Sequence, residues 1–127
     1  MGLRCLIVDD NERFLDAARD LLEGEAVTVV AVASNGADAE RQAETLRPDV
    51  VLVDVDLGEE SGFDVARRLA SVDGPDRPRV ILISTYAESD FAELVADSPA
   101  IGFLSKSDLS RRAIDALLAA ASAPPGT

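Results

Sequence analysis

Short runs of β-branched and aliphatic residues alternate along this chain with longer stretches whose apolar residues recur at helical spacing. That alternation limits the fold more than any other feature. The runs are Arg4–Val8, Val27–Ala33, Val50–Asp54, Arg79–Ser84 and the "IGFLS" of residues 101–105. Between and after them the spacing predicts helices over Glu12–Glu23, Gly36–Leu46, Phe63–Ser71, Glu88–Ala96 and Leu109–Ala121, the fourth being short and weakly patterned. Five strand–helix units in 127 residues make one domain with one core. Strands separated by helices are expected to be parallel and covered on both faces. The consecutive apolar positions in "LIV", "VVLV" and "VILI" suit central strands buried on both sides, whereas "VTVVAVA" is less continuous and suits an edge. The predicted fold is α/β, a doubly wound five-stranded parallel sheet with five helices. In such sheets chemistry gathers at the carboxyl ends of the strands.

Reading the residue that follows each run gives a chemical list. The first run ends in Asp9-Asp10, the third in Asp54 with Asp56 two residues on, the fourth in Ser84-Thr85, and the fifth in Ser105-Lys106. Any one of these residues has an ordinary structural explanation, because Asp is common where a chain turns out of a core. The set is harder to explain that way. If the first and third strands are neighbours, Asp9, Asp10 and Asp54 converge, and like charges about 4 Å apart repel by roughly 4 kcal/mol at an effective dielectric of 20. Such a cluster requires a cation or a raised pKa. Carboxylates without His or Cys select a hard cation, and Mg²⁺ retains open positions that accept phosphate oxygens. A carboxylate can also act as a nucleophile and form an aspartyl phosphate. Ser84 and Lys106 would then supply the hydroxyl and the positive charge that a transferred phosphoryl group needs.

Composition removes competing chemistries. The chain carries 24 acidic and 12 basic residues, a net charge of −12, and a surface that negative repels nucleic acid. There is no histidine, which rules out Ser-His-Asp and Cys-His triads and imidazole-based zinc sites. Cys5 is the sole cysteine, so no internal disulfide exists, and inside "LRCLIVDD" it is expected to pack as a small hydrophobe. No apolar run approaches the roughly 18 residues of a membrane span, and the start "MGLRCLIVDD" has too short an apolar run for a signal peptide. Together these favour a cytoplasmic protein that does not engage membranes. Of the 12 basic residues, eleven are arginine, and Lys106 is the single lysine.

In order, "LIVDDNE", "PDVVLVDVDLGEESG", "VILIST" and "GFLSKSDL" resemble the receiver domain of bacterial two-component response regulators, over Leu3 to about Ala121. The acidic pair, an aspartate ending the third strand, a hydroxyl 30 residues later and a lysine 52 residues later carry the resemblance together. It implies a flavodoxin-like sheet of strand order 2-1-3-4-5, with residues 1–121 as the receiver domain and the "SAPPGT" of 122–127 as a linker or disordered tail. It further implies that Asp54 is the phosphoacceptor, that Asp10 binds Mg²⁺ (with Mn²⁺ as the alternative) directly and Asp9 through water, and that Asp56 contributes its backbone carbonyl. Ser84 and Lys106 would contact the phosphoryl group, and Phe103 would occupy the aromatic switch position, the alternative being a half-buried strand aromatic. The expected donor is a sensor histidine kinase. The expected output is a changed surface on the fourth helix, fifth strand and fifth helix, with a phosphorylation-dependent homodimer. The chain would be no enzyme beyond its own phosphorylation and dephosphorylation.

Three departures from the family pattern carry expectations of their own. "LGEESG" follows the phosphoacceptor where a Pro-Gly pair is frequent, which predicts a more flexible loop. Ser107 follows Lys106 where many members have proline, so the isomer of that peptide bond is left open, a non-proline cis bond costing about 2.5–4 kcal/mol. Asp56 and Tyr86 sit where the family tunes phosphate lifetime, Tyr86 as a shield and Asp56 as added negative charge. "GFLSKSDL" without Lys-Pro is similar to receivers joined to LuxR-type helix-turn-helix domains, which leaves two readings, a stand-alone receiver or, favoured by that similarity, a piece of a longer regulator that would meet DNA only through the absent part. On the fifth helix, Arg111 and Arg112 beside Ile114, Leu117 and Leu118 read either as a partner surface or as an ordinary helix with its leucines on the sheet.

Two other readings compete. "DVDLG" also resembles the Asp-x-Asp motif of haloacid-dehalogenase-type phosphatases, but there the paired acids follow the lysine, and here "DD" comes first. A receiver that binds partners without phosphorylation is disfavoured by the complete set Asp9, Asp10, Asp54, Ser84 and Lys106. No strand-to-helix turn is a glycine-rich phosphate loop, which counts against a flavin or nucleotide binder.

Overall fold

A computed structural model describes residues 2–71, 78–86 and 88–122, with side chains omitted at 88 and 122. Strands β1 (Leu3–Val8), β2 (Val27–Ala33), β3 (Val50–Asp54), β4 (Arg79–Ser84) and β5 (Gly102–Ser105) form one sheet in the order 2-1-3-4-5. Every neighbouring pair is parallel. The helices are α1 (Glu12–Glu23), α2 (Gly36–Leu46), α3 (Gly62–Ala70), α4 (Ala92–Asp97) and α5 (Arg111–Ser122). This is the flavodoxin-like arrangement expected of the sequence, and β2 does lie at an edge, with a register irregularity opposite Cys5 and Leu6.

The consecutive apolar positions are explained by two cores. In a strand, alternate residues face opposite sides of the sheet. Leu6, Val8, Val51, Val53, Val80 and Leu82 pack on one side with Ala39 of α2 and Phe63, Val65, Ala66 and Leu69 of α3. Cys5, Ile7, Val50, Leu52, Ile81 and Ile83 pack on the other with Leu15, Ala18 and Leu22 of α1 and Ile114 of α5. Because both faces are covered, the three central strands have no polar alternation, and only where they end can they present charge.

Helix boundaries follow local chemistry. The side chains of Asn11, Asn35 and Ser61 accept backbone N–H bonds at the starts of α1, α2 and α3. Arg47, in a left-handed conformation at φ 48°, closes α2 ahead of Pro48. Three expectations need correction. The fourth helix does not run through Glu88–Ala96. A 3₁₀ turn at Glu88–Asp90 is separated by Phe91 from the six-residue α4, which buries no side chain and has no side-chain cap. The fifth begins at Arg111, because Lys106–Asp108 forms a 3₁₀ turn and Leu109 is extended. The "LGEESG" loop, expected without regular structure to hold it, contains a two-residue antiparallel pair, Asp56–Leu57 with Glu60–Ser61. The bond after Lys106 is trans. Of the tail 122–127, Ser122 ends α5 and the rest lies outside the described residues. No described helix is long and apolar enough to cross a membrane.

Candidate functional site

The pairing of β1 with β3 and of β3 with β4 decides what meets at the carboxyl edge. Val8 is level with Val53, Asp54 with Ile83, and Ser84 with Ser105. The first polar residues of these strand ends, Asp9, Asp54, Ser84 and Ser105, therefore lie within one residue step of the same level. Asp9, Asp10 and Asp54 can offer carboxylate oxygens that all lie within 4.8 Å of one another. Asp9 and Asp54 are buried, and so is Ser84, while Asp10 is exposed at the rim. A cleft of about 620 Å³ opens over them, lined also by Asp56, Tyr86, Phe91 and Lys106.

Lys106 is the first residue of the 3₁₀ turn after β5, and the turn aims it back across the sheet edge. Its Nζ lies 2.6 Å from Asp9 Oδ2 and donates to Asp54 Oδ2 at 3.1 Å. The approach to Asp9 is a close ion pair, and Asp9 Oδ2 is fully buried with the Lys106 ammonium as its partner. The other oxygen of each carboxylate is held by backbone: Asp9 Oδ1 accepts from the Asn11 N–H at 2.9 Å, and Asp54 Oδ1 from the Asp56 N–H at 3.1 Å. Burial pushes the Asp54 carboxyl up to about 6, with the Asp9 charge adding to the rise, while the Asp56 N–H and Lys106 oppose it. Burial works against the Lys106 ammonium, yet Asp9 and Asp54 outweigh it and hold its pKa above the ordinary lysine value.

This donor set fits a hard divalent cation. It is all oxygen, it contains a buried carboxylate oxygen whose charge, among the described residues, is met only by the Lys106 ammonium, and one member stands at the open rim. Ser84 Oγ accepts from the Tyr86 N–H at 3.0 Å, which turns the chain out of β4 and puts the Tyr86 ring at the cleft's rim, 63% exposed. Asp56 is exposed at the same cleft, and its Oδ1 accepts from Gly58 N–H at 3.1 Å. Phe103 is only 7% exposed, buried rather than half-buried, with its ring 6.2 Å from Phe91. Phe91 also lies 6.1 Å from Phe63 and 6.4 Å from Tyr86. On α5, Ile114 faces the sheet, and Arg111 is tied to Glu25, the Ala26 carbonyl and Asp115; Arg112 is exposed.

Sequence reasoning missed three supporting residues. The ring of Phe14 lies under the Lys106 ammonium, 4.3 Å from Nζ to centroid. Glu60 accepts the Gly36 N–H at 2.7 Å and pairs with Arg68, tying the loop after Asp54 to the start of α2 and to α3. Gly62 has no room for a side chain: a Cβ there would stand 1.9 Å from the Asp54 carbonyl oxygen. Gly62 alone left a readable signal, as the glycine after the capping serine in "ESG". Contacts between distant segments leave none.

Comparison with known proteins identifies the family. The family model described as "Response regulator receiver domain" matches residues 5–118. The DNA-binding transcriptional activator EvgA of Escherichia coli is 30% identical over 93% of this chain and 57% of its own length. The virulence-factor transcription regulator BvgA of Bordetella pertussis is 31% identical over 89% of this chain and 53% of its own. The chain thus spans about half the length of these relatives. A two-component response regulator of the LuxR family from Aurantimonas superposes with a TM-score of 0.82 at 27% identity, over 94% of this chain and 87% of that one. The chain belongs to the response regulator receiver domain family.

Proposed function

We propose that this domain accepts a phosphoryl group on Asp54 from the phosphohistidine of a sensor histidine kinase, in the cytoplasm, and passes the signal through a changed surface. The observation that carries the reading is the Lys106 ammonium set between Asp9 and Asp54, in a cluster whose carboxylate oxygens fall within 4.8 Å. An Asp54 oxygen forms the new P–O bond as the P–N bond breaks, and the bonding pair returns to the imidazole nitrogen. With its carboxyl at about 6, Asp54 is mostly ionised at neutral pH and competent to attack. Lys106 would turn from the carboxylates toward the phosphoryl oxygens, and the Ser84 hydroxyl would donate to another of them.

A hard cation, Mg²⁺ or alternatively Mn²⁺, would be held by the carboxylates of Asp9, Asp10 and Asp54 and the Asp56 carbonyl, and when bound it offsets the charge of carboxylates and phosphoryl oxygens alike. Tyr86 at the rim would shield the acyl phosphate, and the exposed Asp56 carboxylate would add negative charge beside it. The readout would be the α4–β5–α5 surface. In support, α4 buries no side chain and is anchored through Phe91, which touches both Tyr86 and the switch candidate Phe103. The partners of this reading are the kinase, a second copy of the chain on phosphorylation, and an output domain that carries DNA binding.

A phosphatase mechanism would use Asp56 as a general acid. The engagement of its side chain with Gly58 speaks against that role, and no catalysis beyond self-phosphorylation and dephosphorylation is proposed. The test is incubation with acetyl phosphate and Mg²⁺ followed by intact mass. One added phosphoryl group is expected, and none in Asp54→Asn. No modification by acetyl phosphate or by a cognate kinase would sink the proposal.

A further inference from the structure

The start of α1 is wired to the lysine it faces. Asp9 uses its two carboxylate oxygens for different tasks: Oδ2 pairs with Lys106 and Oδ1 accepts the Asn11 N–H. Asn11 in turn caps α1, its Oδ1 accepting from the N–H groups of Arg13 and of Phe14 at 3.0 and 3.3 Å. This fixes the first helical turn so that the Phe14 ring meets the ammonium at 4.3 Å. The ring is half-buried and packs against the core on the α1 side of the sheet. Lys106 thus has carboxylates on one side and an aromatic face on another, and its side chain is only 12% exposed.

We propose that Phe14 is a positioning residue for Lys106: its ring face holds the ammonium at the Asp9–Asp54 pair in place of water. The electron-rich face of an aromatic ring attracts a cation within about 6 Å of its centroid, more strongly when the pair is shielded from water. A lysine stem is flexible, and its ammonium strongly hydrated, so two carboxylates alone leave it free to swing toward solvent. The ring removes that freedom without adding a hydrogen bond that would have to break when the ammonium turns to an incoming phosphoryl group. Phe14 touches neither the phosphoacceptor nor the phosphoryl group and acts only through Lys106. The consequence for phosphoryl transfer rests on the function proposed above, while the hold on Lys106 does not.

Because Lys106 is the only lysine, feeding ¹³C,¹⁵N-lysine gives one set of side-chain signals. In the wild type the Lys106 ε-methylene protons are expected upfield of those of free lysine, shifted by the Phe14 ring current. Phe14→Leu should return them toward the free value, and Phe14→Tyr should keep them shifted. With acetyl phosphate and Mg²⁺, Phe14→Leu should be phosphorylated about three- to thirty-fold more slowly, and Phe14→Tyr should recover most of the rate. A thermal melt of each variant separates this from a general loss of fold, since a purely packing role would not make the lysine signal follow the aromatic ring. Unshifted wild-type lysine signals, or a Tyr variant as slow as the Leu variant, would overturn the proposal. The lysine spectrum is read with no phosphoryl donor present. A wild type that shows the shift but never accepts phosphoryl would therefore count against the proposed function and not against the hold on Lys106.

Discussion

Lys106 Nζ lies 2.6 Å from Asp9 Oδ2, a buried carboxylate oxygen whose charge nothing else meets among the described residues. The domain's one lysine is thus the charge that offsets its acidic cluster when nothing else does. An ammonium is compact and sits on a flexible stem, whereas a guanidinium is broad and planar. The compact group is held closely between Asp9, Asp54 and the Phe14 ring, and a broader fork is expected to sit there less well. Lys106→Arg should fold with its charge intact yet phosphorylate at least about tenfold more slowly, a loss of about 1.4 kcal/mol in transition-state stabilisation. Initial rates with acetyl phosphate test this, and a wild-type rate would show that the lone lysine is incidental.

The Asp54 carboxyl predicts a pH signature. Its folded value, about 6, is raised above the ordinary 3.8, chiefly by burial. Between those values the folded state holds a proton that the unfolded state has released, so stability falls as pH rises through that window. In chelator-containing buffer at pH 7.5, Asp54→Asn should melt higher than wild type by a few degrees, and the gap should narrow toward pH 4. Added Mg²⁺ should raise the wild-type melting temperature and reduce the gap. A wild type more stable than Asp54→Asn in chelator at pH 7.5 would refute the assignment.

Cys5 should be inert in the native protein. It is fully buried, and burial pushes its thiol up to about 12 from 9.0. Native protein at pH 8 should react with a thiol reagent only as fast as it unfolds, and denatured protein at once. The sign for stability is downward with pH: above about pH 9 the unfolded thiol loses its proton and the folded one keeps it. Rapid native labelling would mean that β1 is not enclosed as described.

Glu60 should anchor the loop that follows Asp54. The Gly36 N–H and the Arg68 guanidinium hold its carboxyl below the usual glutamate value of 4.5. The stability it contributes is therefore present above that value and is lost as pH falls through its folded pKa. Glu60→Ala should lower stability by on the order of 1 kcal/mol at pH 7, with a smaller difference from wild type at pH 3.5. It should also weaken Mg²⁺ binding, measured by calorimetry. An Mg²⁺ affinity unchanged in the variant would show that the loop holds its shape without the tie.

Gly62→Ala should be the most damaging small substitution near the site. The added Cβ meets backbone, the Asp54 carbonyl oxygen at 1.9 Å, and no flexible side chain can yield. A loss of about 3 kcal/mol or more is expected in urea unfolding. A variant within about 0.5 kcal/mol of wild type, the range of neutral surface changes, would contradict the packing of α3 against the end of β3.

The sheet and its acidic edge were legible in the sequence for one physical reason. Parallel strands covered on both faces must be apolar at every position, so the first polar residue after "LIV", "VVLV" or "VILI" marks where the chain leaves the core. Asp9, Asp54 and Ser84 were located that way, and Lys106 by its solitude. What did not show was tertiary. α4 read as one helix from Glu88, but Phe91 turns inward to three other aromatic rings and breaks it. The loop after Asp54 read as flexible for want of Pro-Gly, but Glu60 restrains it through Gly36 and Arg68, residues on two other elements. The Phe14–Lys106 contact joins opposite ends of the chain, and no local pattern encodes it.

The most direct test of the account is to find the phosphorylated atom. Wild-type protein treated with acetyl phosphate and Mg²⁺ should be reduced with borohydride, digested and sequenced by mass spectrometry. Hydride reduces an aspartyl phosphate to homoserine with loss of phosphate, so homoserine should appear at position 54 and nowhere else. Homoserine at another aspartate, or none at all with the donor and the metal both present, would contradict the claim that this edge of the sheet is a phosphoacceptor site.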